Sequence, residues 1–146
     1  MARSSKDRLK NIVDQVVTQL RTIDGSTYFN FDLDDNQIEY EYKDIDQCPK
    51  FPHIYISAIN EPATVIECRD TQDITDNIEL FGYVKNDKQA LIEALKLHSD
   101  IEQALYSDVS LNNLVMSMQV ASMIASGSGF GVVHVNVVVQ SQFNFS

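Results

Sequence analysis

The chain has 146 residues, 44% hydrophobic and 22% charged, with 21 acidic against 11 basic side chains and a formal net charge of −10. That length predicts one domain, spanning residues 1–146, with a proper core and the composition of a soluble globular protein. The acidic balance disfavours gripping nucleic acid or an anionic membrane, whose phosphates such a surface repels.

The opening Met-Ala-Arg-Ser-Ser-Lys-Asp-Arg has no apolar run after its charges, so no secretory signal is expected. The most apolar region, 111–139, is broken by Ser117, Gln119, Ser122, His134 and Asn136, short of the roughly 18 apolar residues of a membrane span. Cys48 and Cys68 lack C-x-x-C or paired-His spacing and are expected as reduced thiols.

Residues 5–21 carry Leu9, Ile12, Val13, Val16, Val17 and Leu20 at helical spacing, opposite Lys10, Asp14, Thr18 and Arg21. Gly25 is placed to end that helix in a left-handed cap, with Ile23 folding back on it. Strands are expected at 27–31 and 37–43, the second alternating Ile38, Tyr40 and Tyr42 with Glu39, Glu41 and Lys43. Pro52 opens a further strand over 53–58, with Ile54 and Ile56 opposing Tyr55 and Ser57.

Residues 61–76 hold Pro62 and many polar side chains, and predict a long exposed excursion with a short Thr64-Val-Ile66 segment that could pair. Long excursions in compact domains usually serve function or assembly. Val65, Ile66, Arg69, Asp70 and Asp73 are therefore the candidate interface residues.

The chain is organised around 77–108. Ile78, Leu80 and Val84 fall on one strand face, with Glu79, Phe81, Tyr83 and Lys85 on the other. Asp87 stands where an N-cap belongs. Leu91, Ile92, Leu95, Ile101, Ala104 and Leu105 then predict a helix laid back on the sheet, with Leu91, Leu95 and Leu105 in the core. Residues 111–124 alternate again, Ala125-Ser-Gly-Ser-Gly is a turn, and 130–143 is the strongest strand, with Val133, Val135, Val137 and Val139 on one face. The expected fold is α+β: a mainly antiparallel sheet packed against two helices as a single-domain sandwich.

Chemistry-bearing constellations are weak. Asp32-Leu-Asp34-Asp-Asn36 matches the start of an EF-hand loop, but Gln37 replaces the required glycine and Lys43 the bidentate acid, so an acidic turn is expected. Gly127-Ser-Gly-Phe-Gly131 lacks a following Gly-Lys-Ser/Thr and helix, and predicts a hairpin tip rather than a nucleotide site. Asp70, Asp73, Asp76 and Glu79 predict a solvated acidic face rather than a metal cluster. His53, His98 and His134 have no spacing that assigns them an orienting carboxylate. No enzyme activity and no cofactor or metal is expected.

The order of elements carries a resemblance. An N-terminal amphipathic helix leads to Tyr28-Phe-Asn-Phe31, then Phe51-Pro-His-Ile-Tyr-Ile56, then Leu80-Phe-Gly-Tyr-Val-Lys85. A helix closing on Ser99-Asp-Ile-Glu-Gln-Ala-Leu105 and a Gly-rich turn into a Val-alternating strand follow. This pattern resembles the tail terminator (tail completion) proteins of long-tailed bacteriophages over nearly the whole chain. Many such chains end on a single terminal Tyr, where this one has Phe143 and Phe145.

The resemblance implies a virion assembly protein, found in the tail and neck and in the host cytoplasm during assembly. It implies a hexameric ring of this chain that caps the tail tube, stops its polymerisation, and meets the tube protein on one side and the head–tail connector or stopper on the other. DNA would pass through the lumen without specific binding, and no membrane is involved. The competing expectation is a small-ligand or regulatory binding module on an α/β sandwich, without catalysis.

Overall fold

The computed structural model describes residues 7–67 and 71–144. Its elements in order are α1 (Arg8–Leu20), β1 (Ile38–Glu39), β2 (His53–Asn60), β3 (Thr71–Lys85), α2 (Ala90–Tyr106), β4 (Ser117–Gly127) and β5 (Phe130–Asn144). The strands form one sheet ordered β1-β2-β3-β5-β4, antiparallel except where β1 runs parallel to β2. Both helices pack on one face, giving the expected α+β fold.

The stripe of α1 is buried as its spacing requires: Ile12, Val13, Val16, Val17 and Leu20. Residues 5 and 6 of the predicted helix lie outside the described residues. Ile23 does fold into the core. Gly25 has the expected left-handed backbone (φ 73°), but the helix has already ended on Arg21 in right-handed conformation. The glycine instead turns the following loop, its N–H donating to the Phe31 carbonyl at 2.9 Å.

The two strands expected at 27–31 and 37–43 do not form. The first is a loop outside the sheet, flanked by an isolated bridge between Asp24 and Asp32. The second shrinks to the two residues of β1. Beyond them the tyrosines turn to local partners: Tyr40 donates to Asp14 and Tyr42 to Asp44. A phenol with a carboxylate in reach gains a charge-assisted hydrogen bond outside any ladder.

The third strand is longer than expected. Residues 71–76, assigned by sequence to the excursion, are the first part of β3 and pair with β5 from Asn144 to Val139. Their polarity concealed this. The side facing the helices there is Gln72, Ile74 and Asp76, and the buried Asp76 is neutralised rather than solvated.

Helix α2 begins at Ala90, later than an Asp87 N-cap would place it. Asn86, not Asp87, takes the free amides, accepting from Lys88 N at 3.0 Å and Gln89 N at 2.9 Å. Its buried face is Ala94, Leu97, Ile101, Ala104 and Leu105. Leu91 and Leu95, expected in the core, are each 48% exposed, while Leu105 is buried as predicted. The apolar residues span more than half the helix circumference, so the stripe can be centred in two ways. At about 100° per residue, Leu91 and Leu95 stand roughly 120° and 160° round from Leu97.

Two glycines allow α2 its close approach. A Cβ on Gly82 would sit 2.8 Å from Leu97 Cδ2, and one on Gly131 would sit 2.8 Å from the Ala90 carbonyl and 2.7 Å from Val84.

Val133, Val135, Val137 and Val139 are all fully buried, as their alternation requires. The β4–β5 turn is Ser128–Gly129, both at positive φ (53° and 80°), the geometry of a type I′ hairpin. Residues 111–116, expected to begin the fourth strand, instead form a turn in which Leu111, Asn112 and Asn113 are all left-handed (φ 48°, 59°, 64°). Asp108 holds it, its carboxylate accepting from Ser110 N and Asn112 N.

Candidate assembly surface

The excursion survives as residues 61–67, an exposed segment with no strand pairing among the described residues. Of the candidate interface residues, Val65 and Ile66 lie in it, 81% and 80% exposed. Asp73 lies on β3 instead, exposed and accepting from Gln142 Nε2 at 3.4 Å. Arg69 and Asp70 lie outside the described residues, as does Cys68. The segment, the start of β3 and the end of β5 line a cleft of about 490 Å³, with Glu61, Pro62, Ala63, Ile66, Ile74 and Phe143 in its wall.

The root of the segment is pinned by an arginine that sequence reading passed over. Arg8, the first residue of α1, donates to Asp76 Oδ2 at 2.9 Å, to Ser141 Oγ at 2.7 Å and to Glu61 Oε2 at 3.4 Å. Asp76 and Ser141 are buried on the helix side of β3 and β5. Burial, the Asp76 charge and a hydrogen bond to Asp76 hold the Glu61 carboxyl above its ordinary value, with Arg8 pulling the other way. No local spacing could have revealed this cluster, because its members are brought together by strand register.

The sheet face away from the helices is closed at one end. Residues 45–51 cover Tyr55 and Tyr83, whose hydroxyls share a 2.8 Å hydrogen bond, and Cys48 is buried with them. Burial pushes the Cys48 thiol and the Tyr55 hydroxyl up, which keeps both protonated. Further along, His134 stacks on Phe81, ring centroids 4.5 Å apart, and its Nε2 lies 2.6 Å from Glu79 Oε1. Glu79 thus belongs to a cross-strand pair, and with Asp76 buried the predicted acidic face does not exist as one surface.

Each histidine has a glutamate after all. His53 Nε2 is 3.4 Å from Glu39 and His98 Nε2 is 3.3 Å from Glu102. The three histidines sit on three different elements, and His53 makes no hydrogen bond through either ring nitrogen among the described residues. In the 32–36 loop, Asp34 pairs with Lys50 at 3.0 Å, and the Gln37 side chain accepts from Asp34 N. Among the described residues no three His, Cys, Asp or Glu side chains converge as a ligand set.

The margin at β4 differs from everything else. From Val109 to the last residue the sequence contains no Asp, Glu, Lys or Arg. Strand β4 pairs with β5 on one side only, and none of its eleven residues is buried. Above it, Leu91 and Ile92 line a shallow surface groove together with Ser126, Gly127 and Gly129. Helix α2 is tied on its opposite flank, where Asp100 accepts from the backbone of Asn30 and Phe31. The Leu91–Leu95 flank therefore looks out over the last strand.

No protein-family model and no curated protein matches the chain.

Proposed function

We propose that this chain is a tail-terminator-like assembly protein, whose copies close into a six-membered ring on the tip of a phage tail tube. Three of the phrases that carry the resemblance fall on elements in the same order, Phe51-Pro leading into β2, Leu80 to Lys85 ending β3 and Ser99 to Leu105 closing α2, while Tyr28 to Phe31 is a loop rather than the strand the resemblance implies. The observation that carries the reading is the presence of two surfaces left unpartnered at different margins of one sheet. One is the exposed 62–66 stretch, without strand pairing among the described residues, and the other the long outer edge of β4. Unlike surfaces that fit each other head to tail generate rings when the rotation closes. Each copy brings a charge of −10, so a lumen lined by any of it repels passing DNA.

The test is capping. Purified tube protein is allowed to polymerise with and without this chain, and tube lengths are measured by negative-stain microscopy. Short tubes with a ring at one tip are expected. Tubes of unchanged length, with the chain remaining free, would sink the reading and leave the small-ligand module as its rival. The cleft beside Ile66 and Phe143 is that module's candidate site.

A further inference from the structure

We infer that the outer edge of β4 accepts, as a sixth strand, residues 62–66 of a second copy of this chain. The inference rests on the ring reading in taking the contact as head to tail.

Three observations lead to it. The first is the edge itself. Natural sheets guard long edges with charge, proline or a bulge, because bare N–H and C=O groups recruit other strands. Ser117–Gly127 has none of these guards: it contains no charged residue and no proline, and its register with β5 is unbroken. The other edge of the same sheet is only two residues long, and Arg21 donates to the Ile38 carbonyl there.

The second observation is the overhang of α2. Leu91 and Leu95 are half exposed on the flank that faces β4, and Met118, Val120 and Ile124 lie only partly buried below. Leu91 and Ile92 line a groove with Ser126, Gly127 and Gly129 at the end of that strand. An added strand, spaced roughly 4.8 Å from β4, would cover that flank.

The third is charge, which selects the occupant. Two copies at −10 repel each other over most of their surfaces, and β4 is where that repulsion is absent. The complementary piece must be exposed, uncharged and without strand pairing among the described residues. Pro62-Ala-Thr-Val-Ile66 meets each condition, and its Thr64, Val65 and Ile66 are β-branched residues that suit a strand. Because Val65 and Ile66 are adjacent, a strand would point them to opposite faces. One would cover Leu91 and Leu95, and the other would lie beside Ala121 and Met123 on the open face.

The test uses two double variants of the full chain. Ala121→Glu/Met123→Glu spoils the edge and keeps the segment; Val65→Glu/Ile66→Glu spoils the segment and keeps the edge. Mass is read by light scattering, well above the concentration at which wild type assembles. Each variant alone is expected to be monomeric, with a thermal midpoint close to that of wild-type monomer. Mixed one to one, they are expected to give twice the monomer mass, since one good edge meets one good segment. A variant that still assembles alone overturns the proposal, and so does a mixture that stays monomeric or a wild type that never assembles. Open chains of wild type joined through this seam would uphold the contact and overturn the ring.

Hydrogen exchange on wild type needs no substitution. Amides in 117–127 that point away from β5, and those of 63–66, are expected to become protected on assembly. Unchanged exchange at both in assembled protein overturns the proposal even if a variant fails to fold.

Discussion

The two margins of the sheet are finished in opposite ways. On the β1 side the strand stops after two residues, and side chains take over. Arg21 caps a carbonyl, Lys43 pairs with Glu39 at 3.2 Å, and tyrosines reach for carboxylates. On the β4 side a regular eleven-residue strand ends the sheet, with no further strand beyond it among the described residues. All the charge of the molecule lies in residues 1–108. The difference teaches that the β1 margin is closed by specific pairs within one copy. The β4 margin is built from ladder and apolar packing, and its outer edge pairs with no strand among the described residues.

The largest effect separates the two flanks of α2. Leu97 is fully buried against Gly82. Leu97→Asp should unfold the chain, because an unpaired buried charge costs several kcal/mol against a total stability of about 5–15 kcal/mol. Leu95→Asp, on the overhanging flank, should leave the monomer folded with a midpoint near wild type, and weaken assembly instead. Circular dichroism melting distinguishes them, and equal collapse of both would place Leu95 in the core and remove the overhang.

A smaller effect probes the charged part. Arg8→Ala leaves the buried Asp76 without its cation, and removing one partner of a buried pair costs about 3 kcal/mol. For a chain of this length that lowers the melting midpoint by roughly 6–12 °C. Urea titration checks the same quantity. A change of less than about 1 kcal/mol would mean that the pair is held only as surface pairs are.

The smallest concerns pH. Burial pushes the His53 imidazole below its ordinary 6.5, Glu39 pulls it back up, and Lys43 adds to the lowering. The folded chain therefore binds this proton less readily than the unfolded chain, so stability is intact above 6.5 and is lost as pH falls below it. His53→Phe should flatten the fall in unfolding free energy between about pH 7 and pH 5. An unchanged slope would show that other groups set the acid limb.

What was legible in the sequence was whatever depends on local periodicity. The valines of β5 declare their face by strict alternation, and α1 declares its stripe because its apolar arc is narrow. Where the arc is wide, as in α2, periodicity identifies a helix but not its centre, and Leu91 and Leu95 went to the wrong side. Polar residues misled in the other direction. Gln72 and Asp76 look like loop, yet they sit inward because Arg8, far away in sequence, meets the aspartate. Tyr40 and Tyr42 look like strand, yet Asp14 and Asp44 draw them out of it. The bare edge of β4 lies between these cases, because its lack of charge is written in the sequence while its position at the margin is set by strand order.

The charge-free stretch after Asp108 also makes the surrounding electrolyte a control on encounter. In dilute buffer of about 0.01 M the Debye length is about 30 Å, and each copy feels the whole charge of the next before any strand can align. Near 0.15 M it falls to about 8 Å, and a neutral two-stranded margin becomes wide enough to shelter behind. Approach is then slow at low ionic strength and rapid at that of a cell, although the seam itself contains no ion pair for salt to weaken.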